Sequence, residues 1–237
     1  MPRFFVPDIN SDKVTITGED AKHMIKSLRL NVNEEITLCD GKGFDYHGKI
    51  LEITDAVLIE IMEKVPTKSE PKAKITLFQA LPKGDKMELI IQKCVELGVF
   101  RIVPVLTERC ISRPDKKSMA KKTERYQKIA LEAAKQSGRG IIPEISELLT
   151  LKEAVNVLPE KSIVFYENGG DRLNTLVNES TSEIGVFVGS EGGFSMEEIE
   201  FLKSHGVFPA TLGERILRCE TAPICGISVI LSLTGDI

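Results

Sequence analysis

The sequence predicts an α/β chain: a small N-terminal β-barrel, then a larger C-terminal domain of mostly parallel sheet with helices on both faces. Three observations predict it. Before the middle of the seventh decade of residues, short apolar runs alternate with turn signals and show no long helical period. Between Glu63 and Lys74 the composition turns to Lys, Pro, Ser, Thr and Glu, with Pro66 and Pro71 interrupting regular structure, which marks a linker. From Lys74 onward, apolar strand-like runs alternate with amphipathic stretches of helical length, the pattern of parallel strands joined by crossover helices.

In the first part, residues 37–39, 46–53 and 56–61 read as strands, separated by the turns Asp40-Gly41-Lys42-Gly43 and Thr54-Asp55. Residues 21–30 predict a short helix that sets His23, Lys26 and Arg29 three apart on one face. These observations divide the chain into domains at 1–68 and 72–237. In the second part, 75–80 reads as a strand and Lys86–Leu97 as a helix ended by Gly98. A strand at 102–106 and a long helix at 118–136 follow. Strands at 162–166 and 184–188, a helix over Met196–Ser204, and the elements 207–212 and 222–233 complete the series. A sheet of this kind binds ligands at the carboxyl ends of its strands.

Composition narrows the function classes. Hydrophobic residues make up 42% and charged residues 28% of 237, close to soluble averages, which excludes a disordered or fibrous chain. No run approaches the roughly 18 uncharged apolar residues of a membrane helix, and the start of the chain lacks the apolar stretch of a secretory signal, so a cytoplasmic location is expected. The five cysteines are scattered without C-x-x-C pairing, and none of the three histidines pairs at i and i+4, so no metal site is expected.

The net charge of −4 hides an internal asymmetry. Between residues 81 and 140, 14 Lys and Arg face 7 Asp and Glu, against 11 and 13 before that stretch and 6 and 15 after it. A basic middle in an acidic chain fits a localised phosphate-binding face; it fits a set of solvated helix faces equally well. Lys83, Lys86, Lys93, Arg109 and Arg113 are its candidate contacts, together with Arg139 in the turn Gln136-Ser137-Gly138-Arg139-Gly140.

Two glycine-bearing segments carry the chemistry. The first, Gly189-Ser190-Glu191-Gly192-Gly193-Phe194-Ser195, leaves an apolar strand and enters a helix that Ser195 and Glu198 would cap reciprocally. The second, Leu212-Gly213-Glu214-Arg215-Ile216-Leu217-Arg218-Cys219-Glu220-Thr221-Ala222, again runs from strand to helix, with Thr221 as the expected cap. Either alone is an ordinary βα turn. Together at one rim of a sheet they supply backbone donors and acceptors plus apolar Ile216 and Leu217 to a flat ligand. Neither has the G-x-G-x-x-G or Gly-Lys-Ser/Thr spacing of NAD or ATP sites.

With these segments and several others, the chain resembles the RsmE-type 16S rRNA uridine-N3 methyltransferases of the SPOUT (trefoil-knot) superfamily. The others include Pro2-Arg3-Phe4-Phe5-Val6, His23 through Leu28-Arg29-Leu30, Lys83-Gly84-Asp85-Lys86-Met87-Glu88, Gln92-Lys93-Cys94-Val95-Glu96-Leu97-Gly98 and Glu132-Ala133-Ala134-Lys135-Gln136-Ser137-Gly138-Arg139. The likeness spans nearly the whole chain. It implies a PUA-like barrel that holds RNA, with Arg3, His23 and Arg29 facing it, and a SPOUT domain with a C-terminal trefoil knot. It implies S-adenosyl-L-methionine as cofactor, bound by Tyr166, Glu167, Gly189, Glu191, Gly192, Gly193, Leu212, Gly213, Ile216, Leu217 and Arg218. A homodimer formed through the final helix is also implied, with 16S rRNA or the small ribosomal subunit as partner. The chain departs from the family pattern at Ser190, usually proline, and Cys219, usually threonine.

Transfer of a methyl group to N3 of uracil requires loss of the imide proton, so a base or an anion-stabilising cation is needed. Glu191 and Glu220 are the candidate bases; Arg218 and Arg139 are the candidate stabilisers. Arg218 and Glu220 also fit a mutual structural ion pair. The rival functions are methylation of tRNA or of a ribose 2′-hydroxyl by a related knotted enzyme, and a non-catalytic RNA-binding assembly factor.

Overall fold

The computed structural model of the protein describes residues 2–237. It divides into two compact units, one running to Glu70 and joined by Ala134–Ile142, the other made of Pro71–Ala133 and Pro143–Ile237.

The first unit contains β1 (Arg3–Phe5), β2 (Lys13–Ile16), α1 (Gly18–Lys22), a wide π-helical turn (His23–Ser27), β3 (Glu35–Cys39), β4 (Phe44–Ile53) and β5 (Val57–Pro66). The strands lie in the order β1-β3-β4-β5-β2; β1 runs parallel to β3 and the rest are antiparallel. The expected barrel is therefore a sheet with two edges, β1 and β2. Register shifts at His47/Gly48 and Ile50/Glu52 bend β4 against β5. Gly48 permits the close approach there, because a Cβ at this position would lie 2.9 Å from the Glu60 carbonyl oxygen. Alternate residues of the strands, among them Ile36, Leu38, Ile50, Val57 and Ile59, point inward and close the core with Phe4, Ala21 and Met24. β5 runs on to Pro66, so the start of the expected linker is strand.

The segment Ala134–Ile142 belongs with this unit for a physical reason. The Gly43 N–H donates to the Gly140 carbonyl at 3.0 Å, and Glu70 accepts from the N–H groups of Gly140 (2.7 Å) and Ile141 (3.0 Å). Glu70 also binds the Arg139 guanidinium at 2.6 Å, where the arginine side chain is 3% exposed. Arg139, expected on a mobile turn free to enter an active site, is instead a buried ion-pair partner.

The second unit holds an eight-stranded sheet. Its strands are β6 (Lys74–Ala80), β7 (Arg101–Leu106), β8 (Glu144–Ile145), β9 (Leu149–Thr150), β10 (Ser162–Phe165), β11 (Asp171–Arg172), β12 (Glu183–Val188) and β13 (Val207–Thr211). The order is β11-β13-β10-β12-β6-β7-β8, with β9 also on β7, and every pairing is parallel. The helices are α2 (Lys86–Leu97), α3 (Lys116–Ser137), whose residues from Ala134 on belong to the first unit, α4 (Leu151–Ala154), α5 (Leu173–Leu176), α6 (Met196–Ser204) and α7 (Thr221–Thr234).

The α2 helix forms where the pattern requires: Met87, Ile90, Ile91, Cys94 and Val95 make one buried stripe, and Gly98 ends it at φ 115°. Period-two alternation sends Val164, Phe78 and Phe187 to the face covered by α4 and α6. Phe165, the neighbour of Val164, points to the opposite face and lies under Gly226 of α7, where a methyl group would overlap its ring. Helices thus cover both faces. Phe78 and Phe187 stack at 4.4 Å between ring centroids. The end of α7 is tied down by Asp236, which accepts from the N–H groups of Lys72 (2.8 Å) and Ala73 (3.2 Å).

Candidate cofactor site

Strands β13, β10 and β12 are neighbours and parallel, so their carboxyl ends emerge side by side at one rim of the sheet. The chain leaving them forms a cavity of about 470 Å³, well inside the range of small-molecule sites. From β10 come Phe165, Tyr166 and Glu167; from β12, residues 188–193; from β13, residues 211–219. Lys86, the first residue of α2, and Ala222 complete the lining.

Local sequence shapes each wall. In the first glycine loop the Gly193 N–H donates to the Ser190 carbonyl at 3.0 Å, a tight turn that Gly193 closes at φ 65°. A Cβ at Gly189 would lie 2.9 Å from the Gly193 Cα, so the turn closes only without a side chain. After the turn Ser195 caps α6 reciprocally with Glu198, at 3.0 and 3.3 Å. The loop is clasped from the β7 side as well: the Arg109 guanidinium donates to the Gly192 carbonyl at 2.9 Å and the Ser190 hydroxyl to the Arg109 carbonyl at 3.4 Å. In the second loop Ile216 is 83% exposed, an apolar side chain presented at the cavity. The cap of α7 differs from expectation. Helix geometry begins at Thr221, with Glu220 at the N-cap position and no side-chain capping bond.

Lys86 is the electrostatic centre of the rim. Its ammonium stands 2.8 Å from Glu191 Oε1, 3.5 Å from Glu220 Oε2 and 3.9 Å from Cys219 Sγ. Partial burial works to raise the Glu191 carboxyl, but Lys86 and the N–H groups of Glu191 and Lys83 outweigh it, so it titrates below the usual carboxylate range. Glu220 behaves alike: the Cys219 thiol, its own N–H and Lys86 overcome the effect of burial. Cys219, desolvated and donating to Glu220 at 3.2 Å, is pushed up to about 12 and remains a thiol at neutral pH. The Glu191 hydrogen bond raises Lys86 above the ordinary lysine value.

All eleven residues expected to hold a cofactor, Tyr166, Glu167, Gly189, Glu191, Gly192, Gly193, Leu212, Gly213, Ile216, Leu217 and Arg218, line this one cavity. Arg218 is exposed and, among the described residues, makes no ion pair with Glu220, which is bound to Lys86 instead. Of the expected RNA contacts, His23, Arg29, Lys83, Arg109 and Arg113 are exposed. Arg113 spends donors on the carbonyls of Cys110, Thr107 and Glu108, and Lys93 pairs with Glu96 at 2.9 Å. Arg3 forms a bidentate pair with Asp45, at 2.8 and 2.6 Å. Sequence reasoning missed Lys86 as a cavity residue, and Phe165 and Thr211 as lining. Only the placement of β6 beside β12 reveals the first. Among the described residues no group of His, Cys, Asp and Glu could hold a metal, and no helix is long and apolar enough to cross a membrane.

A parallel sheet with a rim cavity, following a unit with its own core, defines a ligand-binding α/β protein, and the relatives give its class as an RNA methyltransferase. Residues 68–231 match the RNA methyltransferase domain family and residues 16–62 the RNA methyltransferase PUA domain family. The ribosomal RNA small subunit methyltransferase E of Bacillus subtilis is 32% identical over 91% of this chain and 88% of its own length. The solved structure of that enzyme from Neisseria gonorrhoeae, bound to S-adenosyl methionine, superposes with a TM-score of 0.87 at 34% identity, covering 98% of both chains. A methyltransferase of Legionella pneumophila, solved with bound cofactor SAM, gives 0.84 at 32% identity over 97% of this chain and 96% of that one. The chain belongs to the ribosomal RNA small subunit methyltransferase E family.

Proposed function

We propose that the chain transfers a methyl group from S-adenosylmethionine to N3 of a uridine in the 16S rRNA of the small ribosomal subunit. The convergence of both glycine-bearing loops on one cavity carries this reading. It is supported by full-length relatives of that name, one of them solved with the cofactor. The residues present fit such a ligand: glycines keep the turn free of Cβ atoms, loop backbone offers donors and acceptors, and Leu212, Ile216 and Leu217 offer apolar surface for a flat base.

When bound, S-adenosylmethionine supplies an electrophilic methyl group on a sulfonium. The protein's contribution is position and charge. Gly189, Gly192 and Gly193 would hold the cofactor through backbone, with Gly213 and Leu217 on the facing loop and Tyr166 and Glu167 as the third wall. Arg218 carries an exposed guanidinium at the cavity and stabilises the negative charge that develops on uracil as its imide proton leaves. Glu191 and Glu220, held ionised by Lys86, are weak proton acceptors. Arg139 acts by ordering the first unit through Glu70, exposed His23, Arg29 and Lys83 meet RNA phosphates, and Arg109 and Arg113 order the loops beside the cavity through backbone carbonyls.

The same reading includes a trefoil knot formed by the two loops, a cytoplasmic location, and a homodimer through α7, whose Val229 is left 38% exposed. The test is incubation with labelled S-adenosylmethionine and small ribosomal subunits or free rRNA, followed by mass spectrometry of the nucleosides. Label on uracil N3 supports the reading; label on a ribose, or none, refutes it.

A further inference from the structure

One ammonium connects the two loops of the cavity. The Glu191 carboxylate comes from the loop after β12, the Glu220 carboxylate from the loop after β13, and Lys86 reaches both from the start of α2. The anchorage on the α2 side is double, because the Lys83 N–H also donates to Glu191, at 3.1 Å. The groups are partly shielded, with side chains 34%, 30% and 17% exposed for Lys86, Glu191 and Glu220. Two carboxylates within reach of one cation cannot both stay ionised at low cost once the cation is gone.

We propose that Lys86 is a positioning residue: its ammonium holds the loops after β12 and β13 at the separation that shapes the cofactor cavity, with Glu191 and Glu220 as its anchors. This rests on the reading of that cavity as the S-adenosylmethionine site. It takes Lys86 away from the set of phosphate contacts that the basic middle suggested. Beside the cluster stands the Cys219 thiol, which donates to Glu220; the other charged groups lining the cavity are Glu214, Arg215 and Arg218 on the loop after β13 and Glu167 on the β10 wall. Asp85 and Glu88 flank Lys86 on its own helix start.

The experiment measures S-adenosylmethionine affinity by calorimetry on the full chain between pH 6 and 8, for wild type, Lys86→Met, Lys86→Arg and the double variant Lys86→Met/Glu191→Gln. Each variant's affinity is taken as a ratio to wild type at the same pH, which cancels titration of the ligand. Lys86→Met is expected to bind about tenfold more weakly at pH 8, the scale for a partly exposed pair whose loss leaves two like charges together. The deficit shrinks toward pH 6, because a proton shared by the two carboxyls takes the place of the ammonium. Lys86→Arg recovers to within about threefold of wild type. The double variant has lost the tether together with the repulsion, so it stays weaker than wild type by a ratio that does not change with pH, and that ratio decides the matter if Lys86→Met does not fold; affinity equal to wild type would mean that Lys86 only neutralises charge and would overturn the inference. A pH-independent ratio for Lys86→Met, or unchanged cofactor affinity with weakened RNA binding, overturns the inference alone. Absence of binding by wild type overturns the reading of the cavity and the inference with it.

Discussion

Glu70→Ala tests whether Arg139 is a structural residue. In the native first unit the Glu70 carboxylate accepts from the Arg139 guanidinium at 2.6 and 3.3 Å and from two backbone N–H groups, Gly140 and Ile141, at 2.7 and 3.0 Å. Removing it leaves a guanidinium that is 3% exposed without this counter-charge, and two backbone donors without this acceptor. Breaking one side of a buried pair costs about 3–5 kcal/mol, and each orphaned buried donor about 1–3 kcal/mol, although the parts do not add fully because water can enter where the carboxylate stood. A loss of about 3–5 kcal/mol is expected, a large share of a typical domain stability of about 5–15 kcal/mol. Glu70→Gln, which keeps an oxygen for the N–H groups, costs less. Urea unfolding gives the total, and amide hydrogen exchange at Gly43, Gly140 and Ile141 locates it, because a two-unit chain need not unfold in one step. A loss below about 1 kcal/mol with protection of these amides intact would refute the structural role and return Arg139 to the catalytic candidates.

Three other expectations follow from the second unit. Arg218→Ala should retain cofactor binding by calorimetry while turnover falls about 10²–10³-fold, the effect of removing one charge-stabilising donor; undiminished turnover would exclude it from the mechanism. Gly189→Ala places a methyl 2.9 Å from the Gly193 Cα, which is backbone and cannot swing aside. A stability loss of about 1–3 kcal/mol is expected, with weaker cofactor binding, both read by thermal melts with and without S-adenosylmethionine. The folded carboxyls of Glu191 and Glu220 titrate below their ordinary range, so their contribution is complete above that range and is lost as pH falls through the folded values. Cofactor affinity referred to an unfolding-corrected baseline should therefore hold steady from neutral pH down to the ordinary carboxylate range and drop below it. A fall already at neutral pH would mean that Lys86 does not hold them ionised.

The two-part organisation, the parallel sheet and the cavity rim were legible because their signals are local. The α2 boundaries follow from an apolar stripe and a terminal glycine, and the two loops from glycines at strand ends. The return of Ala134–Ile142 to the first unit was not legible, since the bonds to Gly43 and Glu70 join residues far apart in sequence. Two-residue strands such as β8 and β11 are defined by their partners rather than by their own composition. The cavity's charge arrangement was hidden for the same reason: Arg218 and Glu220 are close in sequence, yet Glu220 is bound by Lys86, which only the pairing of β6 with β12 brings to the rim.

The reaction proposed for the cavity of the second unit is methylation of a 16S rRNA uridine at N3. Its most direct test is nucleoside analysis of 16S rRNA from cells in which the gene is deleted and then restored. 3-Methyluridine is expected to disappear on deletion, to return with the wild-type chain and not to return with Arg218→Ala. Persistence of 3-methyluridine after deletion, or loss of a ribose-methylated nucleoside in its place, would contradict the proposal.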